Sequence, residues 1–472
     1  MQMKKKKSLP GQSSVSRREF LQTSAVAAAA FTIVPRHVLG GPGYVAPSDK
    51  LNIAAIGAGG KGRSDIAEVS TENIVALCDV DDVKMQGTLK DAEERALKLQ
   101  SEGKGDGKSP LAKANHYKDF RVMLDKEKHI DAVTVSTPDH IHAIAAMTAI
   151  KHGKHVFVQK PLTWSVGEAR VLREAAKKAG VITQMGNQGH AGEGIRLIVE
   201  WLEDGAIGDV REVQCWTNRP VWDTGMDRPK EIPSVPSTLD WNLWLGPAPF
   251  RPYHPSYAPW SWRAWCDFGT GALGDMGAHI FDIPYHALKM EYPTTVEASS
   301  SKFNGESWPV AEIVRYEFPE RHGLPPVKLT WYDGGMMPKR PESLEPGRMM
   351  GDEDGGVLFI GDKGLLMCGC YGSQPRLIPE TFMQDYKRPP KTIPRSPGIH
   401  QEWVQCIKEG KQATSNFEYA SKLTETMMIG NIAIRMASKN TKLDWDGVKG
   451  EFTNMPDANE FLMREYLNGY KL

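Results

Sequence analysis

Short apolar segments alternate with longer and more polar segments over residues 49–187. The apolar segments are 51–57, 73–80, 130–138, 153–161 and 179–188. Buried parallel strands are nearly continuous apolar runs, and strands that alternate with helices form a doubly wound sheet. Ser165–Ala179 has apolar residues at helical spacing and is predicted to be one of these helices. The pattern therefore predicts an α/β domain over residues 49–187.

After residue 188 the pattern changes to longer loops and alternating strands. The predicted elements are a helix over 192–208, strands over 209–220, 294–303, 311–318 and 326–334, a hairpin over 356–372, and helices over 400–410 and 419–440. Alternation of apolar and polar residues is typical of antiparallel strands with one buried face. The last helix has a broad apolar face, so we expect it to pack near the first domain. Residues 188–472 are thus predicted to form a second α/β domain with a mostly antiparallel sheet.

Residues 1–48 have the layout of a targeting segment. Lys4–Lys7 begin a basic region, Arg17 and Arg18 precede Phe-Leu, and a weakly apolar stretch covers Ser24–Val34. This order is typical of a twin-arginine export signal, and the alternative is a chance basic and alanine-rich segment. We therefore expect a periplasmic or otherwise exported protein. The apolar stretch is too short for a transmembrane helix and no later stretch is long enough, so no stable membrane insertion is expected.

Charge and cysteine content argue against several function classes. The chain has 58 basic and 58 acidic residues, and zero net charge argues against nucleic-acid binding. The six cysteines are scattered without the spacing of a zinc site or a disulfide framework. His140 and His142 are close in sequence but belong to no larger ligand set, so no metal site is expected.

A glycine-rich turn, GAGGKG, follows the first predicted strand and contains Gly57, Gly59, Gly60 and Gly62. This spacing allows a tight turn and lets a pyrophosphate approach backbone N–H groups at a helix N-terminus. Asp79 ends the next predicted strand, where an acidic residue binds the adenosine ribose diol and favours NAD over NADP. The alternative for Asp79 is a turn residue at a strand end. The sequence therefore predicts a Rossmann domain that binds NAD.

Further polar residues follow the other predicted strands. One strand ends at Thr137 and Pro138, another at Lys160 and another near Asn187. Because ligands of a doubly wound sheet bind at the carboxyl ends of its strands, we expect these residues to face one crevice together with Asp79. They are predicted to contribute to cofactor binding.

Four motifs occur in order along the chain: GAGGKG at 57–62, TPDHIH at 137–142, QKPL at 159–162 and GALGDMGAHIFD at 271–282. In these motifs the chain resembles the Gfo/Idh/MocA oxidoreductase family. The resemblance implies an N-terminal dinucleotide-binding domain and a C-terminal α/β domain whose large open sheet forms an oligomer interface, in a dimer or a tetramer. It implies sugars, cyclitols or their derivatives as substrates. It also favours packing of Pro138 and Asp139 beside the nicotinamide, and we add His142 of the same motif to the predicted cofactor-binding set.

Three residues are predicted to carry the chemistry, and the resemblance implies similar roles for them. His279 is the candidate base for a hydroxyl proton, because histidine titrates near neutrality. Asp275 lies four residues earlier and shares a helix face with His279, where it orients the imidazole or bonds the substrate. Lys160 can bond the reacting oxygen. The alternatives are a helix N-cap for Asp275 and a buried structural histidine for His279.

One residue departs from the pattern of the family. Gln159 precedes Lys160, where the family usually has glutamate. The change removes a carboxylate beside the lysine, and its effect, on the lysine pKa or on packing alone, is open at the level of sequence.

A proline- and tryptophan-rich segment separates the strand at 209–220 from the motif at 271–282. The tryptophans in and beside it are Trp216, Trp222, Trp241, Trp244, Trp260, Trp262 and Trp265. Flat aromatic faces suit the C–H faces of sugars, and the side chains predicted to bond hydroxyl groups are Gln188, Asn218, Arg219 and Arg263, together with the catalytic residues. The alternatives are a loop packed on its own aromatics and an oligomer contact.

These features give three function hypotheses. The first is an NAD-dependent oxidoreductase that transfers a hydride between the nicotinamide and a hydroxyl-bearing carbon of a sugar, cyclitol or glycoside. The second is glycoside cleavage by transient oxidation and elimination with recycled NAD, which export favours because free NAD is scarce outside the cytoplasm. The third is a non-catalytic sugar-sensing or sugar-binding protein, against which the presence of Lys160, Asp275 and His279 argues.

Overall fold

The computed structural model describes residues 49–472, and the predicted export signal at residues 1–48 lies outside the described residues. Residues 51–472 pack as one unit. Among the helices of this described part, none is long and apolar enough to cross a membrane.

The first sheet is parallel and has six strands. They are β1 (Asn52–Ile56), β2 (Asn73–Cys78), β3 (Asn115–Tyr117), β4 (Ala132–Val135), β5 (His155–Val158) and β6 (Thr183–Met185). Their order across the sheet is β3-β2-β1-β4-β5-β6, so the strand order switches from one side of β1 to the other after β3. Five of these strands confirm predicted segments, and each is shorter than its apolar run. The short edge strand β3 was not predicted, because its exposed residues carry no apolar pattern.

Helices connect these strands. They are α1 (Lys61–Val69), α2 (Asp82–Ser101), α3 (Phe120–Lys126), α4 (Asp139–Lys151) and α5 (Val166–Ala179). The predicted start of α5 is confirmed, because Ser165 and Glu168 form a reciprocal capping box there. The helix ends at Gly180, whose left-handed backbone suits glycine.

The second sheet has nine strands and is mixed. They are β7 (Val210–Thr217), β8 (Thr295–Ser300), β9 (Glu312–Phe318), β10 (Val327–Tyr332), β11 (Gly355–Gly361), β12 (Leu365–Gly369), β13 (Arg376–Ile378), β14 (Leu443–Asp446) and β15 (Glu451–Phe452). Their order is β13-β12-β11-β7-β10-β9-β8-β14-β15. The antiparallel prediction is confirmed for most pairs, and the pair β7–β10 is parallel. The edge strands β13 and β15, and β14 beside β15, were not predicted.

The remaining helices cover this sheet or connect it to the first one. They are α6 (Glu193–Glu203), α7 (Trp241–Leu245), α8 (Gly271–Ile280), α9 (Asp282–Ala287), α10 (Glu380–Asp385), α11 (Ile399–Glu409) and α12 (Phe417–Met436). The predicted packing of the last helix near the first sheet is confirmed. Arg170 of α5 donates to both carboxylate oxygens of Glu425 in α12, at 2.7 and 2.6 Å.

The tryptophan-rich segment between β7 and α8 folds on its own aromatic side chains. Trp241, Trp244, Trp262 and Trp265 are buried in one cluster with Phe268. Of the seven tryptophans, Trp260 is the exposed one, at 58%. The interpretation as a loop packed on its own aromatics is therefore correct for most of them, because apolar rings bury against each other more readily than they remain exposed for a ligand.

Candidate active site

A cavity of about 340 Å³ lies at the carboxyl ends of β1, β2 and β4. The lining residues predicted from the sequence are Gly57, Gly59, Gly60, Asp79, Thr137, Pro138 and Arg263. Its outer wall is the tryptophan-rich segment, which pairs with the chain after β2 through Asp240 N–H to Val80 O, at 2.9 Å. Of the five residues predicted to face one crevice, Asp79, Thr137 and Pro138 line this cavity, and Lys160 and Asn187 do not. The cavity is partly enclosed by the second half of the chain.

The glycine turn is required by the backbone of the protein itself as well as by a ligand. A Cβ on Gly57 would lie 2.5 Å from the Ser136 carbonyl oxygen, and one on Gly62 would lie 1.8 Å from the Gly57 oxygen. Gly60 differs, because its φ is +51° and a Cβ there would meet nothing within 4 Å. Gly57 and Gly62 thus allow the turn to close, while Gly60 leaves free space at the N-terminus of α1.

Asp79 joins the end of β2 to the glycine turn. Its Oδ2 accepts hydrogen bonds from the backbone N–H groups of Ala58 and Gly59, both at 2.9 Å. Its Oδ1 accepts from the N–H of Asp81, so the turn interpretation also describes a contact that is present. Burial raises the pKa of Asp79 above its usual value. The carboxylate holds the turn and lies in the cavity wall at the place expected for a ribose contact.

These residues fit a dinucleotide. The backbone N–H groups that begin α1 face an open space at Gly60, and a helix N-terminus attracts phosphate. Asp79 supplies acceptors for the ribose, and the cavity volume lies within the usual range for ligand pockets. The site therefore has the donors, acceptors and space that a bound pyrophosphate and ribose require.

Lys160, Arg263 and Asp275 meet in a buried cluster of charges next to this cavity. Lys160 Nζ lies 2.6 Å from Asp275 Oδ1 and 2.9 Å from the Asp275 carbonyl oxygen. Arg263 Nε donates to the same carboxylate oxygen at 3.2 Å. Burial alone raises the pKa of Asp275, but the charges of Lys160 and Arg263 hold it well below its usual range. Asp275 is thus ionised, and it fixes the lysine ammonium group in place.

His279 lies four residues after Asp275 on α8, as predicted, and it is buried. Burial, followed by the charge of Lys160, lowers the pKa of His279 well below its usual value, which favours the neutral imidazole. Its Nδ1 has no hydrogen-bond partner among the described residues. Orientation of the imidazole by Asp275 is not seen, because the hydrogen bonds of that carboxylate go to Lys160 and Arg263. Instead, the Tyr371 ring packs edge-on against the imidazole, with centroids 4.7 Å apart.

Three residues predicted to bind the cofactor brace the site without lining the cavity. Both ring nitrogens of His142 lie near backbone oxygens, Nδ1 at 2.7 Å from Pro161 and Nε2 at 2.9 Å from Thr137. Asp139 accepts from Thr270 at 2.6 Å, and burial raises the pKa of Asp139 to about 6. The prediction of direct cofactor contact is therefore not supported for these two side chains, because their polar atoms are engaged elsewhere.

The third of these residues is Asn187. It is fully buried, and its Oδ1 accepts from Ser415 Oγ at 2.7 Å. Its Nδ2 has no partner among the described residues, so this amide has one donor group left for a ligand.

The residues predicted to bind substrate are spread over two places. Arg263 is at the charge cluster, with the Trp262 ring 4.2 Å and the Trp260 ring 4.9 Å from its guanidinium carbon. Arg219 pairs with Asp354 at 3.1 Å and also bonds Asn218.

The other two residues predicted to bind substrate are the amides Asn218 and Gln188, which lie outside the charge cluster. Asn218 Nδ2 donates to the Glu353 carbonyl oxygen at 2.6 Å, so its donor group is used by the protein. Gln188 is exposed at the start of a short 3₁₀ helix, Gln188–Ala191. Neither bonds Lys160, Asp275 or His279, and their roles remain predictions.

No group of three or more potential metal ligands occurs within residues 49–472. His140 and His142, which are close in sequence, instead bond backbone carbonyl oxygens.

Family models match both halves of the chain. Residues 51–187 match the model described as "Oxidoreductase family, NAD-binding Rossmann fold", and residues 209–319 match "Oxidoreductase family, C-terminal alpha/beta domain". The chain belongs to the Gfo/Idh/MocA family. Its first half is therefore an NAD-binding Rossmann domain, as the glycine turn and Asp79 predicted.

Known members of the family are similar over part of their length. Glycosyl hydrolase family 109 protein 2 of Akkermansia muciniphila is 29% identical over 169 residues, which is 36% of this chain and 34% of that protein. Levoglucosan dehydrogenase of Pseudarthrobacter phenanthrenivorans is 25% identical over 175 residues, 36% of this chain and 35% of that protein. These matches span about a third of the length of the relatives.

Several solved structures share the fold over most of the chain. An aldose-aldose oxidoreductase from Caulobacter crescentus, complexed with glycerol, has a TM-score of 0.51 at 17% identity and covers 84% of this chain and 100% of that one. The WlbA dehydrogenase from Bordetella pertussis, in complex with NADH and UDP-GlcNAcA, has a TM-score of 0.53 at 15% identity and covers 84% and 99%. At these identities the likeness establishes the fold.

The structure explains why this member of the Gfo/Idh/MocA family has glutamine at position 159. Gln159 Nε2 donates to both carboxylate oxygens of Asp65, at 3.0 and 3.2 Å. Asp65 is fully buried in α1 and also accepts from Ser136, His400 and Lys61, at 2.7, 2.9 and 2.9 Å. Burial alone raises the pKa of Asp65, but the bonds from His400 and Lys61 lower it below its usual value. A carboxylate is already present here, so the neighbouring residue must be a donor.

Sequence reasoning missed several residues of the site. Asp65 and His400 are separated by more than three hundred positions and carry no shared motif, and Tyr371 reaches His279 from the end of the β11–β12 hairpin. Asp354, the partner of Arg219, lies in the loop before β11. The pairing of distant loops decides these contacts, and no local pattern records it.

We expect Gln159→Glu to destabilise the protein in a pH-dependent way. The new carboxyl group would lie beside ionised and buried Asp65, so its folded pKa would be raised above its unfolded value. Stability would be near that of the wild type at low pH and would fall as pH rises above about 4.3, reaching a loss of about 2–3 kcal/mol at pH 8. Urea unfolding between pH 5 and 8 measures this. Gln86→Glu on the exposed side of α2 is the control, and an equal pH profile for both variants would contradict the explanation.

Proposed function

We propose that the chain is an NAD-dependent oxidoreductase that transfers a hydride between the nicotinamide and a hydroxyl-bearing carbon of a sugar, cyclitol or glycoside. The observation that carries this proposal is the bond of half-buried Lys160 to Asp275 beside the dinucleotide cavity, with buried His279 four residues later on the same helix. The similarity to a levoglucosan dehydrogenase and to an inositol dehydrogenase supports a sugar or polyol substrate.

Each of the three residues has a role that its contacts permit. Bound NAD supplies the hydride acceptor. The neutral imidazole of His279 takes the proton of the substrate hydroxyl. Lys160 directs two of its three N–H groups to Asp275, which leaves one for the substrate oxygen and for the negative charge that develops on it.

The surroundings of this cluster favour a polar, ring-shaped substrate. Arg263 joins the cluster to the tryptophan-rich segment, and the exposed ring of Trp260 offers an aromatic face next to it. Arg219 supplies a second guanidinium group, whose positive charge acts to lower the pKa values of His279 and Tyr371. Guanidinium groups and aromatic faces together suit the hydroxyl groups and C–H faces of a sugar.

Redox-assisted glycoside cleavage is the second candidate. It needs the same base and the same lysine, because oxidation beside the glycosidic bond acidifies a neighbouring C–H and permits elimination. The outer wall over the cavity favours it, since a recycled cofactor must stay bound through the whole cycle. The similarity to two proteins named as glycosyl hydrolase family 109 members supports it further.

A non-catalytic sugar-binding protein is the weaker alternative. A buried imidazole with an unpaired nitrogen next to an ammonium group is unfavourable for folding alone. Its presence is better explained by a proton transfer than by binding.

Export and assembly complete the proposal. We propose that the Arg17-Arg18 segment directs the chain to the periplasm or another exported location. We also propose a homo-oligomer, dimer or tetramer, formed through the second sheet. One face of that sheet is covered by helices such as α12, while Arg315 and Lys328 on strands β9 and β10 are exposed.

Bound nucleotide and product analysis test the main proposal. Mass spectrometry of the purified protein should find NAD, and a panel of sugars, polyols and glycosides should include a substrate. A dehydrogenase gives reduced nicotinamide in proportion to product when NAD is added. A recycling glycosidase releases the leaving group without net reduction. Substrate binding without either product would favour the non-catalytic alternative and overturn the proposal.

We expect His279→Ala and Lys160→Ala to remain folded and to bind NAD while turnover falls. Loss of a general base typically lowers the rate by about 10²–10⁴-fold, and the double variant should lose less than the product of the two single losses because the residues act as a unit. Turnover and NAD content are measured on the same preparations. His286→Gln on the next helix is the matched control and should stay active. Near-normal turnover of His279→Ala would contradict the assignment.

The export proposal predicts that replacing Arg17 and Arg18 together by lysine leaves the protein in the cytoplasm. Fractionation of cells that express the full chain measures this, with Arg36→Lys in the same segment as the control. Unchanged export of the double variant would rule out the twin-arginine route.

A further inference from the structure

The last described segment, Leu462–Leu472, crosses the first domain and is attached to it at several points. The Leu462 carbonyl oxygen accepts from Gly167 N–H at 2.7 Å, and Tyr466 OH donates to Glu168 at the same distance. Asn468 Nδ2 then donates to the carbonyl oxygens of Gly246 and Ala248, at 2.8 and 2.9 Å. We call Leu462–Leu472 the strap. These bonds attach the strap to α5 at one end and to the tryptophan-rich segment at the other.

The strap brings Tyr470 into the wall of the dinucleotide cavity. Tyr470 is one of the cavity-lining residues and is 6% exposed. The guanidinium carbon of Arg121 lies 4.4 Å from the centroid of its ring. Arg121 is itself fixed by a two-pronged contact with Asp119, at 2.9 and 2.6 Å. Tyr470 is therefore a rigid aromatic group with a supported ring.

The order of the strands decides which half of a dinucleotide would lie near Tyr470. The catalytic lysine follows β5, on the β4 side of β1, so the nicotinamide must point that way. Asp79 ends β2 on the other side, where the adenosine ribose is expected. Tyr470 lies farther along that side, against Arg121 in α3, which follows β3. The adenine, beyond the ribose, is thus the half of the ligand that reaches the strap.

We propose that Tyr470 contacts the adenine ring of NAD and that the strap completes the adenosine half of the cofactor site. This inference rests on the NAD binding that the proposed function requires. An adenine ring is flat and aromatic, and stacking or edge contact with a fixed phenol ring stabilises its binding. The strap lies outside the family-model matches at 51–187 and 209–319.

The test uses the full chain, stripped of bound nucleotide, and measures affinity for NAD, ADP-ribose and nicotinamide mononucleotide by calorimetry. Tyr470→Ala is expected to weaken NAD and ADP-ribose by about ten-fold or more and by the same factor, because both carry the adenine. Nicotinamide mononucleotide should be unaffected. Tyr470→Phe keeps the ring and should bind all three nearly as the wild type does.

Two further variants separate contact from folding. Lys471→Ala, the exposed neighbour, is the control and should not change any affinity. Asn468→Ala releases an anchor of the strap without touching the cavity, and it should weaken ADP-ribose by a smaller factor at an unchanged melting temperature. If Tyr470→Ala fails to fold, Tyr470→Leu and Asn468→Ala carry the test.

The two proposals fail in different ways. A wild-type protein that binds neither NAD nor ADP-ribose would overturn the NAD-binding function itself. A wild type that binds both, with Tyr470→Ala binding ADP-ribose equally well, would overturn the role of Tyr470 alone. An equal loss for nicotinamide mononucleotide would also overturn it, because the effect would then be a general disturbance of the domain.

Discussion

The site depends on the ion pairs that the buried carboxylate of Asp275 forms with Lys160 and Arg263. This carboxylate is held by Lys160, which follows β5 of the first sheet, and by Arg263, which belongs to the tryptophan-rich segment. Asp275 itself lies in α8, so one carboxylate joins three parts of the chain. Removing one partner of a buried ion pair typically costs about 3–5 kcal/mol, because it leaves a charge without compensation. The same interaction that assembles the site therefore also fixes the relative positions of its parts.

Further buried polar contacts extend this arrangement to the strand ends. Asp139 bonds Thr270, the residue before α8, and so ties the helix that follows β4 to the helix that carries His279. The Asp65 carboxylate accepts hydrogen bonds from side chains at the ends of β4 and β5 and from one in α11. His142 lies between Thr137 and Pro161 at the same strand ends. Each of these groups is satisfied by partners from another element, which is what makes a buried polar residue favourable. The strand ends on the cofactor side are thus held by contacts within the protein itself.

The sequence predicted those parts of the site that follow regular local rules. Buried strands are apolar runs, and the residue after each strand of a parallel sheet faces the crevice, so Gly60, Asp79, Thr137 and Pro138 were placed correctly. Spacing by four on one helix placed Asp275 and His279 together. The ion pairs of Asp275 with Lys160 and Arg263 were not predictable in the same way, and neither were the positions of Tyr371 and the strap, because contacts between distant loops leave no period in the sequence. His142 was assigned to the cofactor from its motif, and its ring nitrogens bond carbonyl oxygens that only the folded backbone brings near them.

The central claim is that hydride transfer to a bound nicotinamide is the chemical step, with His279 and Lys160 acting on the substrate oxygen. Mixing NAD-loaded protein with a reactive substrate in a single turnover, while following the absorbance of the reduced nicotinamide, tests this most directly. We expect the reduced form to appear on the enzyme within one turnover, and to appear more slowly when the oxidised carbon carries deuterium. Product formation by nucleotide-free protein, or by loaded protein without any reduced nicotinamide, would contradict it.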